Sequence, residues 1–405
     1  MGVLILMFLF SYGITFLLQY FLKISDSSIL FMLIHLVLAL IIYVMYFFKT
    51  IKKNRLTRNE IILLLFSAFL IIEYFIVGIC FNLLNNETYF RYLKYLFVSF
   101  LPSILLGIMV FYDKKNIIKA LNFSPIFFWT ITLGLIVIVA NNIGSAKVIN
   151  DFNYNGLTYQ AISYYFAYSF SILLFLNFFG NKIELNRWIK TRVVKYINYI
   201  FMAIDLFGCI SVGGRGGIVL VFLILIFSLF VLYKDNKNIF SSRNIFKFFI
   251  LSIAFLVVLM LVSKSEYSQM GIERFFDLFF ESKDASRDGR FVLWEKAILS
   301  FEESPIIGYG FGSVFAKVEY YSHNIFLDVL VETGLIGLIA FLVLLCFIIR
   351  SVLLNLTNKL NLFIFYIFLL GIVMLQFSGY HLSEAMLIFP VAFFSNKLSI
   401  LKKIK

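Results

Sequence analysis

Residues 323–349 read HNIFLDVLVETGLIGLIAFLVLLCFII. After the polar His323-Asn324 pair, the only charged residues in this run are Asp328 and Glu332. A membrane-crossing helix needs about 20 mostly apolar residues, so the stretch is expected to span a bilayer. Working outward from it, comparable runs occupy 3–22, 28–48, 60–81, 93–112, 124–141, 160–180, 196–213, 217–233, 248–263, 360–378 and 384–398. Composition agrees: 62% of the 405 residues are hydrophobic and the mean hydropathy is +0.96, against roughly half apolar for a soluble domain. The expected fold is an all-α integral membrane protein of about 12 transmembrane helices. Residues 1–263 hold helices 1–9, residues 264–322 one large extracytoplasmic loop with short helices, and residues 323–405 helices 10–12. The first run has no small-residue cleavage site and leads into another span, so a retained helix is expected rather than a removed leader.

Lysine and arginine set the orientation, because they concentrate in cytoplasmic loops. With twelve spans, 23 of the 35 basic residues fall on one side, including Lys52, Lys53 and Arg55, Arg187 and Lys190, and Lys402 and Lys403. Outside the long loop, the other side has five: Lys23, Arg91, Lys94, Lys147 and Arg215. Both termini are therefore expected in the cytoplasm, with the 264–322 loop facing outward. The net charge of +13 does not indicate nucleic-acid binding, because this surplus is the orienting set and meets anionic membrane lipid. The long loop has seven basic residues and ten acids. An anionic substrate there has to be met by individual arginines, not by a general basic field. Cys80, Cys209 and Cys346 are scattered through apolar runs, and with only three histidines neither a disulfide framework nor a metal cluster is implied.

Several groups in and around the loop are able to do chemistry, and each has a plainer alternative. Residues 272–281, IERFFDLFFE, alternate an aromatic side with an acidic one, as in a helix lying in the membrane interface or packed on the bundle. Ser286-Arg287-Asp288-Gly289 is a helix entry, with Asp288 or Ser286 as the N-cap. The helix over 290–302 places Arg290 and Trp294 on one face. Arg290 near a helix start is electrostatically unfavourable unless an anion sits beside it; a cation–π pair with Trp294 is the alternative. Pro305-Ile306-Ile307-Gly308-Tyr309-Gly310-Phe311-Gly312 is expected to form a tight turn returning the chain to the membrane. His323-Asn324 stands at the mouth of the tenth span, where a histidine either accepts a proton or caps the helix. Asp328 and Glu332 lie one turn apart, and intramembrane carboxylates face the bundle interior and mark functional sites. Asp205, Glu73 and His35 are read as further interior polar groups. The Glu332-to-Gly337 stretch permits close helix packing. Gly213-Gly214-Arg215-Gly216-Gly217 joins the seventh and eighth spans on the outer side. Its four glycines let backbone approach a ligand, and Arg215 offers a bidentate fork for phosphate; snorkelling to lipid headgroups is the alternative.

Taken in order, these motifs resemble the O-antigen ligase and O-antigen polymerase family of bacterial envelope glycosyltransferases. The resemblance rests on Arg215 in its glycine-rich turn, then Arg290 and Trp294, then Pro305, Gly308 and Gly310, then His323-Asn324, then Glu332, Gly334 and Gly337, and covers about 200–345. One departure is Gly214, where family members often have serine directly before the arginine. The resemblance implies an undecaprenyl-diphosphate-linked oligosaccharide as donor, transferred at the outer face of the membrane to a hydroxyl of an acceptor glycan, with no metal and no cofactor. In keeping with that, the outer loop has no Asp-x-Asp motif. It assigns Arg215 and Arg290 to the diphosphate charge and His323 to the acceptor hydroxyl. Arg287, Trp294, Asn324, Glu332, Gly214 and Gly216 line the substrate site, and the apolar bundle and membrane lipid hold the polyprenyl tail. A flippase and a chain-length regulator are candidate partners. The expected activity is repeat-unit polymerisation of a surface polysaccharide, with ligation of finished glycan to a different acceptor as its sibling. Export of lipid-linked oligosaccharide, from a different class, would call for two similar halves and charges in many spans, whereas here the polar groups gather in one outer loop and its flanks.

Overall fold

A computed structural model of the chain describes residues 1–23, 27–53, 56–143, 153–154, 157–212, 214–235 and 289–401. The expected ninth span at 248–263, the 272–281 segment, Gly213, Ser286, Arg287 and Asp288 lie outside the described residues. What is described is helical apart from one antiparallel pair of two-residue strands, Asn153–Tyr154 with Leu157–Thr158. The helices are α1 Gly2–Leu9, α2 Ser11–Leu22, α3 Ser27–Lys53, α4 Arg58–Cys80, α5 Glu87–Tyr95, α6 Leu101–Tyr112, α7 Lys115–Ile143, α8 Tyr159–Phe179, α9 Arg192–Ser211, α10 Arg215–Asp235, α11 Gly289–Glu303, α12 Val314–Lys317, α13 Ile325–Leu353, α14 Lys359–Met374 and α15 Ala385–Leu401. Eight helices or joined helices among the described residues are long and apolar enough to cross a membrane. A ninth is the pair α1 and α2, which sequence joins as 3–22 but which bends by 75° at Phe10. Two more apolar helices, Lys359–Met374 and Ala385–Asn396, are shorter.

Polar residues start these helices as their chemistry requires. Thr57 and Glu60 form a capping box at α4, the Glu60 carboxylate accepting the Thr57 N–H at 2.6 Å. Asn86, Thr158 and Thr191 accept from the N–H three residues on at α5, α8 and α9. Helices also run past the apolar stretches the sequence marks. The run at 93–112 begins at Glu87 and passes through a π-helical turn, Leu96–Phe100, and the run at 124–141 begins at Lys115. Hydropathy marks the membrane core; a helix continues into polar sequence while its backbone bonds hold.

The chain divides into two compact units. The first comprises Met1–Ile34, Lys115–Glu281 and Asn355–Tyr366. Its centre is α8, packed by α7, α9 and α10 and buried along its whole apolar length. A helix apolar on every side is one surrounded by others. Close approach uses small residues, as membrane helices do where water gives no hydrophobic drive; a β-carbon on Gly208 would stand 2.6 Å from the Phe166 ring. Several buried polar groups bond one another. Thr132 donates to Asp205 at 2.6 Å, Trp129 to Asn198 at 3.0 Å, and Asn198 to Asn177 at 2.9 Å. Asp205 is thus an interior hydrogen-bonding group here.

The second unit comprises His35–Lys114, Ser282–Leu354 and Ile367–Lys405. Gly107 of α6 lets α15 approach: its β-carbon would lie 2.7 Å from the Phe389 carbonyl. Tyr74, Tyr89, Tyr92, Phe315, Tyr321 and Tyr380 build an aromatic core where α4 and α5 meet the segment around α12. Leu65, Phe66, Phe69 and Ile72 of α4 stay exposed, which in a membrane is the lipid-facing side.

Candidate functional site in the 289–401 region

The span expected at 323–349 is broken. Within α13, Gly334 has φ 59 and ψ −161, which no helix accommodates. The backbone groups released there pair with the turn that precedes the helix. Leu335 N–H donates to the Pro305 carbonyl at 2.9 Å and Ile336 N–H to Ile306 at 3.2 Å. In return Tyr309 N–H reaches the Val331 carbonyl at 3.1 Å and Gly310 N–H the Glu332 carbonyl at 2.7 Å. Two motifs that look separate in sequence therefore interlock backbone to backbone. Gly308 (φ 66) and Gly334 serve that contact, since a β-carbon on either would lie 2.5 Å from the other strand's backbone. The close packing expected of Gly334 is with this turn and not with a second helix.

The break leaves a short helical piece, 325–333, bearing both carboxylates. Glu332 is fully buried. Its Oε1 accepts from the Gly312 N–H at 2.8 Å and the Tyr380 hydroxyl at 2.7 Å, while Oε2 lies 3.3 Å from His381 Nε2. Glu332, expected to contact substrate, meets the protein's own groups on both oxygens. Burial alone pushes the His381 pKa down; the Glu332 carboxylate, together with Asp328, outweighs this, and the imidazole ends above its ordinary value. Glu73 of α4 accepts from the Phe311 N–H, so consecutive N–H groups at 310, 311 and 312 all end on glutamates.

Asp328, one turn earlier, fixes the turn that carries His323. Its Oδ1 accepts from the Ser322 N–H at 2.7 Å. From the other side, Trp294 of α11 donates its indole N–H to the Ser322 carbonyl at 2.9 Å. Lys296 of α11 pairs with Glu319 at 2.7 Å. His323 itself has φ 58, and Glu319 has φ 70. Non-glycine residues in this region cost on the order of 1–3 kcal/mol each and persist where surroundings impose them, commonly at functional sites. The His323 ring lies 4.5 Å from that of Tyr321 and 5.8 Å from that of Tyr320. Asn324 is the N-cap of α13, its Oδ1 accepting from Phe326 and Leu327 N–H. Arg290 is half-buried, one turn before Trp294 on the same face of α11. The structure thus brings together Trp294, His323, Asn324, Asp328 and Glu332, with Arg290 on the helix that braces them. His381 and Tyr380 were not legible as partners, although a histidine between two apolar runs was a usable signal.

Arg215 lies in the other unit, as the first residue of α10. The corner before it is fastened by Ser163 of α8, whose hydroxyl donates to the Gly214 carbonyl at 2.9 Å. A β-carbon on Gly214 or Gly217 would overlap Ser163, and one on Gly216 would overlap Tyr164. These glycines, expected to admit a ligand, seat α8. Among the described residues no three His, Cys, Asp or Glu side chains group closely enough to hold a metal.

Residues 200–342 match the family model described as O-antigen ligase. They form an O-antigen ligase domain. The match runs from α9 to the middle of α13 and takes in Arg215, Arg290, Trp294, His323, Asn324 and Glu332. No curated protein matches the chain. The family is one of membrane glycosyltransferases of the O-antigen ligase and polymerase type, and its members act on a lipid-linked glycan and an acceptor. The apolar helices around the O-antigen ligase domain make the chain a multi-pass membrane protein.

Proposed function

We propose that the protein polymerises polysaccharide repeat units, transferring an undecaprenyl-diphosphate-linked glycan to an acceptor sugar hydroxyl at the outer face of the bacterial inner membrane. The observation that carries this reading is the His323 turn inside the O-antigen ligase domain, held in a strained conformation by Trp294 and Asp328 beside the helix that bears Arg290. Twelve spans, cytoplasmic termini and an outward 264–322 loop belong to the same proposal and rest on the charge bias.

In this scheme the acceptor oxygen attacks the anomeric carbon of the donor sugar. The bond from that carbon to the diphosphate oxygen breaks, and the polyprenyl diphosphate leaves with the electron pair. The acceptor proton passes to His323. Arg215, Arg290 and Arg287 offset the charge growing on the phosphate oxygens, the work a metal does elsewhere. Glu332 and Asn324 act by fixing the backbone around the site. The same residues serve ligation of finished glycan to a different acceptor. Association with a flippase and a chain-length regulator is proposed from the polymerase reading alone.

The test is purified protein with a synthetic lipid-linked repeat unit, in the presence of a chelator, with chain length read on a gel. Wild type is expected to give a ladder of products. His323→Ala is expected to lose about 10²–10⁴-fold in rate while still binding donor. Full chain growth by His323→Ala would make the histidine structural. A single addition to an unrelated acceptor would favour the ligase. Movement of the lipid-linked unit across vesicles without glycan transfer would replace the enzyme with an exporter.

A further inference from the structure

We propose that His381 is a positioning residue for the glycosyl transfer, acting through Glu332 to hold the His323 turn. The proposal rests on the reading of His323 as the group that handles the acceptor hydroxyl. Glu332 has no exposed surface and His381 is 7% exposed, so water does not screen the contact between them. Nε2 and Oε2 stand 3.3 Å apart without the alignment of a hydrogen bond, and among the described residues His381 Nδ1 has no hydrogen-bond partner. The pair is a buried contact between an acid and a base in a low-dielectric setting, and removal of one member leaves the other without its partner.

A continuous path leads from this pair to the reacting end. Glu332 shares the short 325–333 helix with Asp328, one turn away. Asp328 holds Ser322 N–H, and Trp294 holds the Ser322 carbonyl. On the other side, Tyr380 next to His381 binds Glu332 and packs against Tyr92, which packs in turn against Tyr321. Ile325 N–H donates to the Leu375 carbonyl, so the chain leading to His381 also anchors the start of that helix. Freed of its imidazole partner, the Glu332 carboxylate turns toward other donors or toward water. That movement displaces the Gly312 turn and rotates the helix carrying Asp328.

The test is a double-mutant cycle of Glu332→Gln, His381→Asn and the pair together, in the chain with Trp129 and Trp188 replaced by Phe so that Trp294 reports alone. Each single variant is expected to lower kcat by about tenfold or more, with KM for the lipid-linked donor within about threefold of wild type. The double variant is expected to fall short of the product of the singles by at least about fivefold, the coupling of contacting residues. Trp294 emission should shift in His381→Asn and return toward wild type in the double. Additive losses, or an unmoved emission with kcat intact, overturn the proposal. If His381→Asn cannot be purified, recovery of folded protein on adding Glu332→Gln supports the pairing and no recovery overturns it. Should wild type transfer no glycan, the emission arm still decides the coupling, so loss of the functional reading is told apart from loss of this one.

Discussion

Arg215 shows how a residue is recognised by type before its setting is known. An arginine among four glycines pointed to phosphate, and the structure assigns three of those glycines to another partner. Gly214, Gly216 and Gly217 face Ser163 and Tyr164, about fifty residues earlier, and no local pattern carries such a contact. The Ser163 hydroxyl fastens the corner through the Gly214 carbonyl, which the conservative substitution of the arginine leaves in place. Arg215→Lys keeps the charge but gives up the planar two-point contact with phosphate. It is expected to lose about 10²–10³-fold in rate, the usual effect of removing one preorganised donor, measured on lipid-linked repeat unit at equal protein abundance. Wild-type polymer from Arg215→Ala would return the side chain to lipid headgroups. His381 is the converse case: its residue type was visible, its partner was not, because Glu332 lies 49 positions away across an apolar run.

At the scale of elements, the glycine turn and the broken span stabilise each other, and each explains the other's sequence. The apolar residues on both sides of Gly334 read as one straight helix, because hydropathy is blind to a single residue at φ 59. The bend at Phe10 was hidden too, since a residue at φ −118 and ψ 28 leaves the apolar run unbroken. Spans were legible from their apolar length; breaks within them were not, since backbone bonds to a distant segment make them possible. Gly308→Ala and Gly334→Ala test the interlock. Each forces a β-carbon into the left-handed region, at about 1–2 kcal/mol, and to 2.5 Å from facing backbone that cannot give. Both are expected to lower the thermal midpoint of purified protein by several degrees or to prevent its accumulation. Gly180→Ala is the control: its φ is −59 and the nearest atom is a flexible Leu185 methyl at 3.3 Å. Midpoints of Gly308→Ala and Gly334→Ala indistinguishable from that control would mean the turn yields freely.

For the whole molecule, fold class was the most legible property, because no soluble core could absorb 62% hydrophobic residues. Division into two units was illegible, since each collects segments from distant parts of the chain. Sidedness is the property on which the chemistry depends. A lipid-linked glycan is used where it is displayed, and the proposed site works only if α11 and the His323 turn face outward. The charge bias argues that they do, with basic residues at 187 and 190 on the opposite side. Both faces can be probed at exposed positions: Glu302 on α11, and Arg187 between α8 and α9. In a chain with Cys80, Cys209 and Cys346 replaced, Glu302→Cys is expected to react with a membrane-impermeant thiol reagent in intact cells, and Arg187→Cys only after lysis. An odd error in the span count between these positions, including one at 248–263, would place both on the same side and give them the same labelling. The fully reversed pattern would put His323 in the cytoplasm, where the lipid-linked donor is assembled rather than used, and would remove the polymerase assignment together with the orientation.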